Sequence, residues 1–455
     1  MFYGWLQHLQ PSSHLCCQLV KLVFLRNIKD EVFIFVFIVC AITCIPLSAQ
    51  NNHIEKYGND RFAVRPQLFM GNYLNPSANI KEIDPNAPVG LNLGIEFPSS
   101  RQRPWQQYLN DPTVGLGITS INLGNDVMGE GIAMYPYILL NVFRKEHFNV
   151  NIKLASGLIA VNGHYKATIN EEIPNKTFGS CINAYLNGGL NLDFPITRNL
   201  KINSELGFVH ISNGRIAEPN KGANILYGGV GLVATINPDE DKEKDSEIFP
   251  DLPYRWSLNI TGAAGAQNAD LSDERKFFIS TFHIGGIYNV TNWYGVGLGA
   301  DVFYNDAIGN ETNRGLFCEE HDYSTADKIR VGIALNNELQ FGDVTAMVDW
   351  GVYLINPSRH YYSRDHKDFG HNHRLPLFYK TKGAGSQEAC HYIRFGVKYR
   401  IWDNLYIQAL AKTHRHIAEY IEFGVGYKIP FLKKQNRKEG KSAIFHYRKN
   451  WWKDF

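Results

Sequence analysis

From Ser180 to Phe194 the chain alternates between two kinds of side chain. Ile182, Ala184, Leu186, Leu190, Leu192 and Phe194 are apolar, whereas the intervening positions include Asn183, Asn187, Asn191 and Asp193. The same rhythm sets Phe148, Val150, Ile152 and Leu154 against Asn149, Asn151 and Lys153, and Ile329, Val331, Ile333 and Leu335 against Lys328 and Arg330. It returns at Phe395, Val397, Tyr399 and Ile401 against Arg394, Lys398 and Arg400. A period of two is the signature of a β-strand with one greasy and one wet face. These runs exceed the roughly 5–6 residues usual in soluble sheets and suit the about 9–11 residues of a tilted membrane-crossing strand.

Turn residues divide the chain into strands near 61–72, 88–97, 113–122, 130–144, 148–162, 180–195, 200–213, 225–236, 255–267, 276–290, 293–305, 328–341, 344–356, 390–401, 405–414 and 418–431. The pattern predicts an all-β, antiparallel outer-membrane β-barrel of about 14–16 strands. Tight turns such as Thr197-Arg198-Asn199, Gly342-Asp343 and Trp402-Asp403-Asn404 fall on one side, and long segments such as 163–179, 306–327 and 357–389 on the other. Outer-membrane barrels show that asymmetry between periplasmic turns and extracellular loops. Two segments break it: 98–112 and the charged run Asp239 to Asp251 both lie on the short-turn side. The expectation is one barrel over 50–432, with 237–254 as a candidate boundary between two subdomains. A soluble β-sandwich also alternates, and periodicity cannot say which face points inward.

Composition narrows the class. Aromatic residues make up 13% and charged residues 20% of 455 residues, unlike a disordered tail or a coiled coil. A formal charge of +2 gives no electrostatic case for a nucleic-acid partner. The mean hydropathy of −0.26 excludes a polytopic helical membrane protein but not a barrel, whose strands are apolar at alternate positions only. Val32 to Leu47 forms an apolar core behind Lys21, Arg26 and Lys29, followed by Ser48-Ala49-Gln50. This predicts a signal peptide over 1–49, cut near Ala49. Cys16, Cys17, Cys40 and Cys44 leave with it, and Cys181, Cys318 and Cys390 remain, of which the last two can pair after export. The tail, 433–455, holds eight Lys or Arg against two acidic residues and reads as a basic periplasmic extension.

One strand carries chemistry. In Lys201 to Asn213, Ile202, Leu206 and Phe208 form the apolar row, and His210 and Ser212 continue it. Two residues apart on a strand means one shared face, so an imidazole can take the proton of the neighbouring hydroxyl. That is half of a serine-hydrolase triad. The strand rises from the tight turn at 197–199, which puts both groups at the outer-leaflet rim on the lipid side.

The stretch His210 to Asn224, HISNGRIAEPNKGAN, resembles the lipid A deacylases of the PagL family, outer-membrane barrels also labelled acyloxyacyl hydrolases. Their motif is His-x-Ser-Asn followed by Pro-Asn-x-Gly, and His210, Ser212, Asn213, Pro219, Asn220 and Gly222 fit it. The resemblance is specific over about 25 residues and looser over 61–236. It implies Ser212 as nucleophile, His210 as general base, and Asn213 and the Gly214 amide as oxyanion donors. Lipid A of lipopolysaccharide would be the partner, with no cofactor or metal. Residues 255–431 then look like the second half of an enlarged, Bacteroidota-type barrel.

One position departs from the family. Where its acid, a Glu, would stand, this chain has Asn224, which by parity shares the face of His210 across the hairpin. An amide oxygen can orient the ring but stabilises imidazolium less than a carboxylate does. Glu218 is the nearest substitute acid. The alternative is a non-catalytic transport or structural barrel that keeps a vestigial active-site strand. Elsewhere, His360, His366, His371 and His373 with Asp365 and Asp368 crowd one long loop without the spacing of a defined metal site. His414 and Glu422, beside Lys412, are expected to plug the lumen near the last hairpin.

Overall fold

In the computed structural model the described residues are 61–99, 104–165, 174–236, 252, 254–270, 273–308, 324–356, 390–414 and 417–432. The segment expected to be a signal peptide, the His-rich loop, Cys318 and the basic tail lie outside them. Sixteen strands are present among the described residues, and their bounds follow the turns read from the sequence to within a few residues. They are β1 (Phe62–Tyr73), β2 (Val89–Phe97), β3 (Thr113–Asn122), β4 (Glu130–Arg144), β5 (Asn149–Val161), β6 (Ile182–Pro195), β7 (Leu200–Ser212) and β8 (Ala223–Ile236). The series continues with β9 (Tyr254–Asp270), β10 (Asp273–Asn289), β11 (Tyr294–Asn305), β12 (Ile329–Phe341), β13 (Val344–Ile355), β14 (His391–Arg400), β15 (Leu405–His414) and β16 (Ile417–Leu432). Two short helices, α1 (Ala78–Ile83) and α2 (Pro104–Tyr108), sit in connections.

The sixteen strands do not close into one cylinder. β8 turns back on β1, with Met70 opposite Gly228 and Phe62 opposite Ile236, and closes an eight-stranded barrel. β9 pairs with both β10 and β16 and closes a second barrel of eight. The expectation of a single enlarged barrel is therefore corrected, and the candidate boundary at 237–254 falls between the last strand of the first barrel and the first strand of the second. Alternation fixes which face of a strand is wet but carries no record of which strand it pairs with.

The faces are inverted relative to a soluble protein. Along β7, Leu206 is 60% exposed while Asn203 and Glu205 are 0% and 2% exposed. Leu298 on β11, Val230 on β8 and Leu68 on β1 are likewise outward and bare. A greasy exterior around a polar interior needs hydrocarbon outside it, which excludes the sandwich.

Each interior is filled by its own compensating charges. In the first barrel Arg65 of β1 bonds Glu96 of β2 at 2.5 Å and Asp193 of β6 at 2.8 Å. Lys153 and Tyr227 meet at Glu205, and above this polar layer Phe69, Tyr135, Tyr185, Val209 and Ile225 form an apolar core toward the long-loop end. In the second barrel Arg394 bridges Asp301 at 2.7 Å and Glu422 at 2.8 Å, Lys398 meets Glu338 at 2.6 Å, and Glu419 takes both Arg330 and Lys412. Lys412 and Glu422 thus help to plug the second lumen as expected. Eight strands leave an interior only wide enough for side chains to fill, and these side chains fill it.

The barrels touch at both rims. On the short-turn side, in the segment that broke the loop asymmetry, α2 packs against the second barrel: Asn292 Nδ2 donates to Tyr108 Oη at 2.7 Å, and the Trp105 indole lies against Gly342. On the opposite side the loop after β7 reaches the ends of β9, β10 and β16.

Candidate active site

β6, β7 and β8 build the site at the long-loop end of the first barrel. β7 pairs with β8 so that His210 stands directly opposite Asn224. All three polar groups share the outward row that begins with Ile202, Leu206 and Phe208 on β7 and includes Leu226 and Val230 on β8. His210 Nε2 lies 3.0 Å from Ser212 Oγ, and His210 Nδ1 lies 2.7 Å from Asn224 Oδ1. With an amide oxygen facing it, Nδ1 carries the ring proton and donates. Nε2 is then left with its lone pair toward the hydroxyl, so Ser212 Oγ–H donates to it. The hydroxyl is nearly buried, at 8% exposure for Ser212, while His210 and Asn224 are half-buried.

The loop from Asn213 to Gly222 locks this geometry. Both Nδ2 hydrogens of Asn213 are engaged, one by Ser180 Oγ at 3.0 Å and one by the Ala217 carbonyl at 2.8 Å. Its backbone N–H donates to Asn220 Oδ1 at 3.1 Å. The side chain of Asn213 is thereby a clamp on the loop. The amide of Gly214 has no partner among the described residues.

Glu218 is not the missing acid. Its Oε1 accepts from Arg215 Nε at 2.7 Å and its Oε2 from the Asn220 N–H at 2.9 Å, so both oxygens serve the loop. Gly222 has φ +66, and a Cβ there would fall 3.1 Å from the Ile211 carbonyl, 3.3 Å from Ser212 Cβ and 3.5 Å from His210 Cε1. Its N–H donates to the Thr177 carbonyl at 3.0 Å, tying the loop to the strand-side segment before β6. Ser180 had no signal in the sequence, because a serine at a strand start is unremarkable until its partner is known.

The fold and the site define a class: a transmembrane β-barrel with serine, histidine and asparagine side chains in hydrogen-bonded sequence on its outer wall. A family model described as Lipid A 3-O-deacylase (PagL) matches residues 89–232, and one described as Acyloxyacyl hydrolase, C-terminal domain, matches 256–375 and 377–433. Together they span well over half of the chain, one on each barrel, and the chain belongs to the PagL family. Its place is accordingly the bacterial outer membrane.

Among solved structures, the crystal structure of the outer-membrane enzyme PagL aligns at 15% identity, covering 37% of this chain and 97% of that one, with a TM-score of 0.28. A mutant porin of Rh. blastica aligns at 9% identity over 81% of this chain and 100% of its own, with a TM-score of 0.16. The NanC porin aligns at 7% identity over 82% and 100%, with a TM-score of 0.13. Superpositions this loose carry no argument. No curated protein matches the chain.

Proposed function

We propose that this protein is an outer-membrane serine esterase that removes an ester-linked acyl chain from lipid A of lipopolysaccharide. One observation carries the reading: the hydroxyl, imidazole and amide stand in hydrogen-bonded sequence, 3.0 and 2.7 Å apart, on the lipid-facing wall at the outer rim. Polar groups on that wall are costly unless they serve a purpose, because hydrocarbon offers them no partners. At the rim they meet the level where the glycolipid's sugars give way to its first ester bonds.

Ser212 Oγ attacks the ester carbonyl while His210 Nε2 takes its proton, and Asn224 Oδ1 holds the Nδ1–H in place. The tetrahedral oxyanion is met by the Gly214 amide. Collapse breaks the C–O bond to the sugar, and the imidazolium returns its proton to the departing alkoxide. Water, deprotonated by the same imidazole, then releases the fatty acid and restores Ser212.

Lipid A mass spectra from cells expressing the wild type and Ser212→Ala test the proposal. The expected result is loss of one acyl chain with the wild type alone; identical spectra overturn it. The rival transport reading requires an open path, and both lumens are occupied by paired charges and aromatic rings.

A further inference from the structure

The residues after the nucleophile are held from both barrels: within the first, the Ile216 N–H donates to the Asn213 carbonyl at 3.3 Å and Glu218 takes Arg215 at 2.7 Å. Gly214 and Arg215 are consecutive left-handed residues, with φ +62 and +64. For Arg215 this conformation is unfavourable, and such backbone persists where its surroundings over-determine it. Part of those surroundings belongs to the second barrel. The backbone N–H of Asn268, on β9, donates to the Arg215 carbonyl at 3.1 Å. Lys276, on β10, donates through Nζ to the Ile216 carbonyl and to Asn268 Oδ1. Lys276 and Asn268 are themselves cross-strand neighbours, so this is one anchor of two paired residues. Ile421, on β16, packs so closely that a Cβ on Gly214 would fall 2.5 Å from Ile421 Cγ1. Three adjoining strands of the second barrel therefore fix three consecutive residues, 214 to 216, that begin two positions after Ser212.

We propose that the outer rim of the second barrel is a positioning device for the oxyanion-binding amide of the first, with Lys276, Asn268 and Ile421 as its positioning residues. This rests on the esterase reading above. Hydrogen bonds to two successive carbonyls set the peptide planes that flank residue 216, directly after the left-handed pair, and the Ile421 contact sets how far Gly214 can swing outward. The aim of the Gly214 N–H follows from both. An oxyanion donor acts on charge that exists only in the transition state, so misaiming it lowers kcat and leaves KM nearly unchanged.

The test uses the purified full chain in detergent, with two readouts. The first is kcat and KM on lipid A in mixed micelles. The second is the rate at which a fluorophosphonate phosphonylates Ser212, which also builds negative oxygen at that site but needs no lipid A. Lys276→Met is expected to lower kcat and the labelling rate by about tenfold at unchanged KM, a loss of about 1.4 kcal/mol. Lys276→Arg, which keeps a donor to the Ile216 carbonyl, is expected to restore both to within about threefold. Ile421→Ala, a milder change at a site remote from Lys276 along the chain, is expected to lower both in the same direction. Wild-type values in Lys276→Met and Ile421→Ala overturn the inference and leave the esterase reading standing. A wild-type protein that neither cleaves lipid A nor labels at Ser212 overturns the esterase reading, and the inference with it.

Discussion

Under the proposed esterase mechanism, the amide at Asn224 decides how the relay would work at its far end. In a serine-protease triad, exchanging the acid for an amide costs about 10⁴ in kcat, chiefly because the ring is then held in the wrong tautomer. Here the amide turns its oxygen to Nδ1 at 2.7 Å, and the tautomer is the productive one. What is lost is the charge that would stabilise imidazolium. Asn224→Asp keeps the shape and adds that charge, and is expected to raise kcat several-fold; Asn224→Leu removes the acceptor and is expected to lower it by about 10²-fold. Kinetics on lipid A in mixed micelles check both. Gly222 is a second decisive residue. Gly222→Ala must hold a side chain at φ +66 and press it toward Ser212 and His210, with an expected loss of tenfold or more in kcat/KM while the barrel still folds.

At the scale of elements, much of the molecule was legible because one physical demand wrote it. Each strand faces packed side chains on one side and lipid on the other, so Ile182 to Phe194 could be assigned face by face. The site strand was legible for the opposite reason, since His210 and Ser212 break the apolar row of Ile202, Leu206 and Phe208. The role of the loop was less so. Asn213 and Glu218 have the chemistry of an oxyanion donor and a catalytic acid, but their partners, Ser180, Ala217, Arg215 and Asn220, emerge only when the loop is closed. Lys276, Asn268 and Ile421 carried no signal, because each is an ordinary residue of a strand end and its contact lies far away in sequence.

For the whole molecule, the closure of β8 onto β1 is the feature that separates the possible functions. A sixteen-stranded cylinder would enclose water, whereas two cylinders of eight enclose side chains. Reconstitution into planar bilayers is therefore expected to give no steady conductance, and unitary current steps at physiological salt would contradict the filled lumens. The charges in those lumens hold the wall from within. Arg394→Ala leaves Asp301 and Glu422 buried without their shared guanidinium, with only His283, Tyr392 and Thr281 to meet them, and is expected to destabilise the protein by about 3 kcal/mol, as measured by the temperature at which its compact band on an unboiled gel is lost.

For the proposed esterase, mounting Ser212, His210 and Asn224 on the outer wall would also determine how the protein meets its substrate. A site opening sideways into the leaflet collects molecules that diffuse in two dimensions and need never leave the sheet they occupy. Turnover then follows the mole fraction of glycolipid in the surrounding film, and adding inert detergent at constant total substrate slows the reaction by surface dilution alone.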